Sequence, residues 1–110
     1  MAPLATKTAA LDKSMAQLER KAGEAAGLLK LLANENRLLI LCRLAIAGEL
    51  SVGSLANAAG LSQSALSQHL AKMREDGLLA TRRDAQTIYY RIADQNAAQL
   101  LAALKDIYCP

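Results

Sequence analysis

Aromatic residues, cysteine, histidine and long apolar runs are all scarce in this sequence. Its 110 residues include three Tyr, no Trp, no Phe, two Cys and one His. Two cysteines are too few for the disulfide framework that stabilises many small secreted domains. Charged residues interrupt every apolar stretch well before the length that spans a bilayer, so no membrane-spanning helix is predicted. The first 13 residues show no secretory signal, and we therefore expect a cytoplasmic protein.

The residue arrangements that carry enzyme chemistry are missing as well. The sequence has no nucleophile paired with a base, no paired carboxylates, no glycine loop of the kind that cradles phosphate, and no C-x-x-C motif. These absences argue against an enzyme, and no cofactor is predicted. The net charge of +3 and the pI of about 9.1 are compatible with nucleic-acid binding, although many basic proteins bind none.

Alanine and leucine, which favour helices, account for much of the hydrophobic content. Residues 1–13 are predicted to be a flexible tail, and residues 14–110 a single folded domain. Apolar residues recur at helical spacing in this domain, and Asn, Ser, Asp and Gly stand where helices begin and end. The predicted helices cover about residues 14–32, 35–47, 51–60, 62–77 and 94–108.

The third and fourth predicted helices are short and joined by a tight turn at Gly60, which is typical of a helix-turn-helix. The runs "LLATRR" and "TIYYRI" follow, joined by "DAQ", and their composition and short connection predict a β-hairpin. The sequence therefore predicts a mainly α winged helix-turn-helix with about five helices and a hairpin wing. The first and last helices carry more apolar surface than a small monomer can easily cover, which predicts a homodimer formed through them.

The fourth predicted helix has one face that suits the major groove of DNA. Glutamine can pair bidentately with adenine, serine can serve several base edges, and helix-turn-helix proteins present the start of this helix to the bases. A solvated helix face is the alternative, but such faces are usually built from Glu and Lys. His69 alone is as often a structural residue as a DNA contact. The candidate DNA-binding residues on this face are Gln63, Ser64, Ser67, Gln68 and, at its edge, His69.

The predicted wing is basic. Arg82, Arg83 and Arg91 flank a turn that contains Asp84 and Gln86, and residues 62–91 hold five basic and three acidic residues. Arginines in a wing contact phosphates and supply salt-dependent affinity rather than sequence choice. We therefore add Arg82, Arg83 and Gln86 to the candidate DNA-binding residues, with an ordinary charged hairpin as the alternative.

The stretches "LLKLLANENRLLILCRL" and "LSQSALSQHL", followed by "RRDAQTIYY", resemble the ArsR/SmtB family of bacterial winged-helix repressors. The resemblance covers about residues 15–109. It implies a homodimer that binds double-stranded operator DNA with an inverted repeat and releases it when an inducer is sensed. The positions that match the family's DNA contacts and wing are Gln63, Ser64, Ser67, Gln68, Arg83 and Gln86.

The metal sites common in this family are not retained. One uses two cysteines in the pattern E-L-C-V-C-D-L, but the matching "ELSVGSL" has Ser51 and Gly53 at those positions, which supply no thiolate. Another uses Asp and His on the last helix, where this sequence has Asp94 but no histidine. No metal site is predicted. A site shared between subunits by Cys42 and Cys109 stays open, although the sequence near them offers no clear pair of further ligands.

Cys42 in "LILCRL" and Cys109 in "DIYCP" resemble the cysteine pair of the BigR/HlyU/SqrR branch of the family. That resemblance implies that the two thiols sense a low-molecular-weight persulfide or an oxidant. It implies that they become joined by a disulfide or a longer sulfur bridge, and that DNA is then released. Taken alone, a cysteine within an apolar helix such as Cys42 is more often a small core residue than a sensor.

Two other functions stay open at this point. One is a metal-responsive repressor with a non-standard site, which zinc or cadmium titration would identify. The other is a protein-interaction module that does not bind DNA, and salt-dependent binding to an operator would exclude it.

Overall fold

The computed structural model describes residues 3–109, with side chains from residue 12 onward. Within that range the chain forms six helices and three strands, and none of the helices is both long and apolar enough to cross a membrane. The predicted order of helix-turn-helix, hairpin and last helix is confirmed. The elements are α1 (Pro3–Arg20), α2 (Ala22–Leu32), α3 (Glu35–Ala47), β1 (Leu50–Ser51), α4 (Val52–Ala59), α5 (Gln63–Glu75), β2 (Leu79–Asp84), β3 (Thr87–Ile92) and α6 (Gln95–Tyr108).

The N-terminal helices differ from the prediction. The helix expected to begin at Ser14 begins at Pro3, so residues 3–13 are helical. Proline fits the first helical turn because its missing N–H has no intrahelical acceptor there, and the residues that follow are mostly helix formers. The single helix predicted to reach about residue 32 is divided at Lys21. The N–H of Lys21 donates to the Leu18 carbonyl oxygen at 3.0 Å, a tight turn that ends α1.

The larger of the chain's two compact units begins at Leu31 and contains every element from α3 to α6. Helix α3 contacts α4, β3 and α6, and its Ile40, Leu41 and Leu44 are at most 1% exposed. All the later helices and β2 add apolar side chains to this core. The other apolar residues buried there include Leu55, Leu66, Leu70, Met73, Leu78, Leu79, Ala97 and Leu101.

Short polar side chains cap the helices of this unit. Asn34 accepts a hydrogen bond from the Arg37 N–H at the start of α3, and Ser51 and Ser62 do the same for α4 and α5. Asp94 accepts from two N–H groups of α6, at 2.8 and 3.1 Å. Each cap satisfies backbone donors that have no intrahelical partner. These residues therefore fix where the helices begin, as the sequence predicted.

The three strands form one antiparallel sheet in the order β1-β3-β2. β2 and β3 make the predicted hairpin, in a register that pairs Leu79 with Ile92 and Asp84 with Thr87. β1 was not predicted, because two residues are too short to show a strand pattern. It pairs Ser51 with Tyr89, and so joins the hairpin to the segment that leads into α4.

The hairpin turn contains Ala85, the single non-glycine residue with positive φ in the described part of the chain, at 55°. For an L-residue with a Cβ this left-handed region costs about 1–2 kcal/mol, more than the roughly 0.4–1 kcal/mol by which glycine favours the unfolded chain. Ala85→Gly is therefore expected to stabilise the protein by about 0.5–1 kcal/mol, measured by urea or thermal unfolding.

The matched control is Ala71→Gly, the same substitution at an exposed position inside α5. There the backbone is right-handed, so glycine should destabilise by about 1 kcal/mol. Loss of stability at both positions would contradict a strained turn at Ala85.

Candidate nucleic-acid interface and cysteine groove

Helices α4 and α5 form the helix-turn-helix. Gly60 ends α4 in the left-handed conformation, with φ 69° and ψ 29°, and Ser62 begins α5 two residues later. The Gly60 and Leu61 N–H groups both donate to the Ala56 carbonyl oxygen, at 3.0 and 3.2 Å, which closes the end of α4. The turn is therefore tight, and it fixes the direction in which α5 leaves α4.

One side of α5 is buried in the core and the other is exposed to solvent. Leu66, Leu70 and Met73 are at most 1% exposed. The predicted inward seam is confirmed for these three, whereas Ala65 is half-buried. The opposite side carries no charged residue before Lys72, so its first two turns offer only neutral hydrogen-bonding groups. Of the predicted contacts on this helix, His69 is half-buried and the exposed ones are Gln63, Ser64, Ser67 and Gln68.

The charged residues at the end of α5 are partly balanced within the protein. Lys72 lies 3.5 Å from an Asp76 carboxylate oxygen, and the Asp76 N–H donates to the Lys72 carbonyl oxygen at 2.9 Å. Positive side chains in a last helical turn also interact favourably with the helix dipole. The neutral, exposed surface of α5 is thus confined to its N-terminal half, where helix-turn-helix proteins meet the bases.

The wing arginines are not equivalent. Arg83 and Gln86 are exposed at the end of the hairpin, as expected for groups that reach a phosphate. Arg82, which the sequence predicted to contact DNA, is bound within the protein. Its Nε and Nη2 atoms donate to the two carboxylate oxygens of Glu49 at 2.8 and 2.7 Å. Its guanidinium also lies over the Tyr89 ring, 4.5 Å from the centroid.

Glu49 is a residue that the sequence interpretation missed. It lies immediately before β1, two residues from Ser51. Ser51 pairs with Tyr89 of β3, and Tyr89 pairs with Arg82 of β2, so the sheet register brings Glu49 near Arg82. The hydrogen bonds from Arg82 hold the pKa of the Glu49 carboxyl below its ordinary value of 4.5, against the opposing effect of partial burial. The same hydrogen bonds raise the pKa of Arg82. Both shifts favour the charged pair at neutral pH.

The two cysteines, far apart in sequence, lie on one groove. Cys42 is on α3, and Cys109 follows the last turn of α6, where its N–H donates to the Lys105 carbonyl oxygen at 2.7 Å. Both thiols are free and exposed. The groove has a volume of about 990 Å³ and is bounded by α3, the end of β3 and α6. The described residues that line it are apolar apart from the two cysteines, the Tyr108 hydroxyl and the charged Lys105.

The exposure of Cys42 argues against the alternative that this cysteine is a small core residue. A cysteine that fills space in a core is buried, whereas Cys42 is not. Large apolar side chains near the groove are also uncovered: Ile46, Ile107 and Tyr108 are 79%, 66% and 78% exposed. This end of α3 and α6 therefore combines two accessible thiols with a substantial apolar surface.

Among the residues that the structure describes, no group of three or more His, Cys, Asp and Glu side chains lies close enough to hold a metal ion. Structural zinc sites take four such ligands and catalytic ones three.

Comparison with known proteins agrees with this arrangement. Residues 34–81, from the cap of α3 into β2, match the family described as bacterial regulatory protein, arsR family. The chain is 48% identical over 96 residues to the HTH-type transcriptional regulator YgaV of Escherichia coli K12, covering 87% of this chain and 97% of YgaV. The chain belongs to the arsR family.

Other arsR-family relatives are similar in sequence and in structure. The transcriptional activator HlyU of Vibrio cholerae is 46% identical over 96 residues, covering 87% of this chain and 88% of HlyU. The crystal structure of the transcriptional repressor BigR from Xylella fastidiosa superposes with a TM-score of 0.81 at 43% identity, covering 87% of this chain and 97% of BigR. The predicted winged-helix fold is confirmed, and the protein is a DNA-binding transcriptional regulator rather than an enzyme.

The Glu49–Arg82 pair gives this arsR-family wing a pH dependence. Because the folded-state pKa of Glu49 is lowered, the pair's contribution to stability is complete above the ordinary value of 4.5 and is lost as the pH falls through the folded-state pKa. The difference in melting temperature between the protein and its Glu49→Gln variant should be small, because the pair is open to water, and should shrink to zero on acidification below that range.

NMR titration of the Glu49 carboxyl carbon and the Arg82 Nε–H checks this directly, since both signals should change with one midpoint below 4.5. Asp106→Asn, at an exposed carboxylate on α6, is the control for general effects of charge. A midpoint at or above the ordinary value would show that the pair does not persist in solution.

Proposed function

We propose that the protein is a homodimeric transcriptional repressor that binds an inverted-repeat operator and is switched by thiol chemistry at Cys42 and Cys109. The observation that carries the DNA-binding part is the neutral, exposed N-terminal face of α5 on a helix whose other side is fixed in the core. In the proposed complex this face lies in the major groove, and each half-site is read by one protomer.

The side chains divide by role in this proposal. Gln68 and Gln63 offer both a donor and acceptors, the combination that recognises adenine bidentately, and Ser64 and Ser67 add short hydroxyl contacts. Arg83 and Gln86 extend the contact to the sugar–phosphate backbone. His69 is half-buried and is retained as an edge contact. Arg82 is left out of the contact set because two of its N–H groups donate to Glu49 and hold its guanidinium over Tyr89, although its side chain is 49% exposed.

Uncovered apolar residues support the dimer. Met15 and Leu18 on α1 are 44% and 45% exposed, and Ile107 and Tyr108 on α6 are 66% and 78% exposed. Exposed large apolar side chains on a helix are typical of association surfaces. We therefore propose residues 14–110 as the DNA-binding and dimerisation domain, with α1 and α6 of two copies forming the contact.

The shared groove supports the thiol switch. Both thiols are exposed and line the same groove, so a single small molecule could reach both. With a low-molecular-weight persulfide RSSH, the two thiols yield a disulfide together with RSH and hydrogen sulfide. With a second RSSH, one sulfur is retained as a trisulfide bridge, and the products are two RSH and one hydrogen sulfide. Each persulfide that acts as the oxidant is itself reduced, so both steps balance.

A bridge between α3 and α6 would couple to DNA through the dimer. If α6 lies at the dimer contact, restraining it against α3 changes the spacing or flexibility of the two α5 helices. Operator half-sites about one helical turn apart tolerate little change in that spacing. Loss of affinity on bridging then follows from a coupling of roughly 1–3 kcal/mol between the two sites.

The thiol proposal is tested by intact mass and peptide mapping after separate exposure to glutathione persulfide, oxidised glutathione and peroxide. We expect a Cys42–Cys109 peptide that retains added sulfur with the persulfide, and loss of operator binding in the same sample. Cys42→Ser and Cys109→Ser should each abolish the cross-link. Unlinked thiols after all three treatments would refute the switch and leave the DNA-binding proposal standing.

The DNA contacts are tested by fluorescence anisotropy with a duplex selected by the protein from a random pool. Gln68→Ala should cost about 1–3 kcal/mol of discrimination between this duplex and a variant of it. Arg83→Ala should weaken all duplexes alike and lower the slope of log K against log salt by about 1 per protomer. Arg43→Ala, at an exposed arginine on α3, should change neither quantity. Failure to bind any duplex would favour the interaction module instead.

A further inference from the structure

Glu49, Arg82 and Tyr89 connect the wing to the start of the helix-turn-helix. Arg82 bonds both Glu49 carboxylate oxygens through two different nitrogen atoms, and its guanidinium lies over the Tyr89 ring. Tyr89 is opposite Arg82 in the hairpin and opposite Ser51 in the β1–β3 pair. Ser51 in turn caps α4. A continuous series of contacts therefore runs from the hairpin to the first helix of the DNA-binding motif.

We infer that the Glu49–Arg82 pair is a positioning device, which holds the wing at a fixed orientation to α4 and α5. The inference rests on the proposed function, in which α5 meets the bases and Arg83 meets the backbone. Those two contacts are made together only if the hairpin and α5 keep a constant relation. The pair acts through Arg83 and α5, and neither Glu49 nor Arg82 touches DNA.

The geometry of the pair favours orientation over stability. Arg82 is 49% and Glu49 30% exposed at the side chain, and ion pairs this open to water contribute little to the free energy of unfolding. A bidentate guanidinium–carboxylate contact fixes direction as well as distance, which a lysine cannot do. Stacking on Tyr89 restricts the guanidinium plane further. The expected effect of breaking the pair is therefore on DNA selectivity, with little change in stability.

The charge of the pair sharpens this expectation. While Arg82 is neutralised by Glu49, the exposed cation at the end of β2 is Arg83. Removing the Glu49 charge frees a mobile guanidinium beside the DNA, which strengthens binding to any duplex. The wing also loses its fixed orientation, which weakens binding to the selected duplex. The freed charge strengthens binding to both duplexes, so the ratio of specific to non-specific affinity should fall because of the lost orientation.

The test compares Glu49→Gln and Arg82→Lys with Asp84→Asn. Asp84 ends β2, so its substitution removes one negative charge from the same hairpin without touching the Glu49–Arg82 hydrogen bonds. Affinities are measured by anisotropy for the selected duplex and for a scrambled duplex of equal length, across a range of salt. Melting temperature and amide NMR spectra report whether each variant is folded.

We expect Glu49→Gln to lower the ratio of specific to non-specific affinity about fivefold, with the affinity for the scrambled duplex increased. Arg82→Lys keeps the positive charge but cannot make the bidentate contact with Glu49. It should therefore lower the ratio of specific to non-specific affinity as well. Asp84→Asn should raise both affinities together and leave the ratio unchanged. The double variant Glu49→Gln/Arg82→Lys should be no worse than the poorer single variant, because the two residues act as one unit.

Two results separate the inference from the proposal beneath it. An unchanged ratio in folded Glu49→Gln and Arg82→Lys, on a wild-type protein that discriminates between the duplexes, overturns the positioning role alone. A wild-type protein that binds both duplexes equally overturns the proposed DNA recognition, and the positioning role with it. If Glu49→Gln proves unfolded, the folded Arg82→Lys variant decides the matter by the same ratio.

Discussion

Burial of α3 is the constraint on which the rest of this fold depends. Ile40, Leu41 and Leu44 are almost completely enclosed, and α4, β3 and α6 all pack against the helix that carries them. Truncating an enclosed side chain of this size typically costs about 2–5 kcal/mol, a large part of the stability of a small domain. The DNA-binding motif, the wing and the cysteine groove are therefore three outer surfaces of one packed centre. A disturbance of that centre would reach all three.

Much of the fold could be predicted from local patterns in the sequence. The seam of Leu66, Leu70 and Met73 recurs at helical spacing, and Ser62 marks the start of α5, so the helix and its open face were both expected. The hairpin was predicted from its β-branched and aromatic residues. The predicted start of α1 was wrong, because residues 3–13 lack an apolar stripe although most of their residues favour helix.

The features that escaped prediction depend on contacts between distant residues. Glu49 and Arg82 are brought together by β1, a two-residue strand that no periodicity reveals. Without that strand, Arg82 and Arg83 are indistinguishable as neighbouring basic residues of one hairpin. The common groove of Cys42 and Cys109 is likewise a result of how α6 returns to α3, and it was expected only from the resemblance to the family. Local sequence patterns thus predict the helices and the hairpin, whereas the tertiary contacts distinguish the roles of individual side chains such as Arg82 and Arg83.

The last hydrogen bond of α6 is made by the backbone of Cys109 itself. Helix ends open and close locally at little free-energy cost, and amide protons there exchange with solvent faster than those in the middle. A sulfur bridge from Cys109 to α3 would restrict this local opening at the last turn of α6. Amide exchange at the end of α6 would then be slower in the bridged protein than in the reduced one. That difference would report the chemical state of the thiols independently of any movement of the DNA-binding helix.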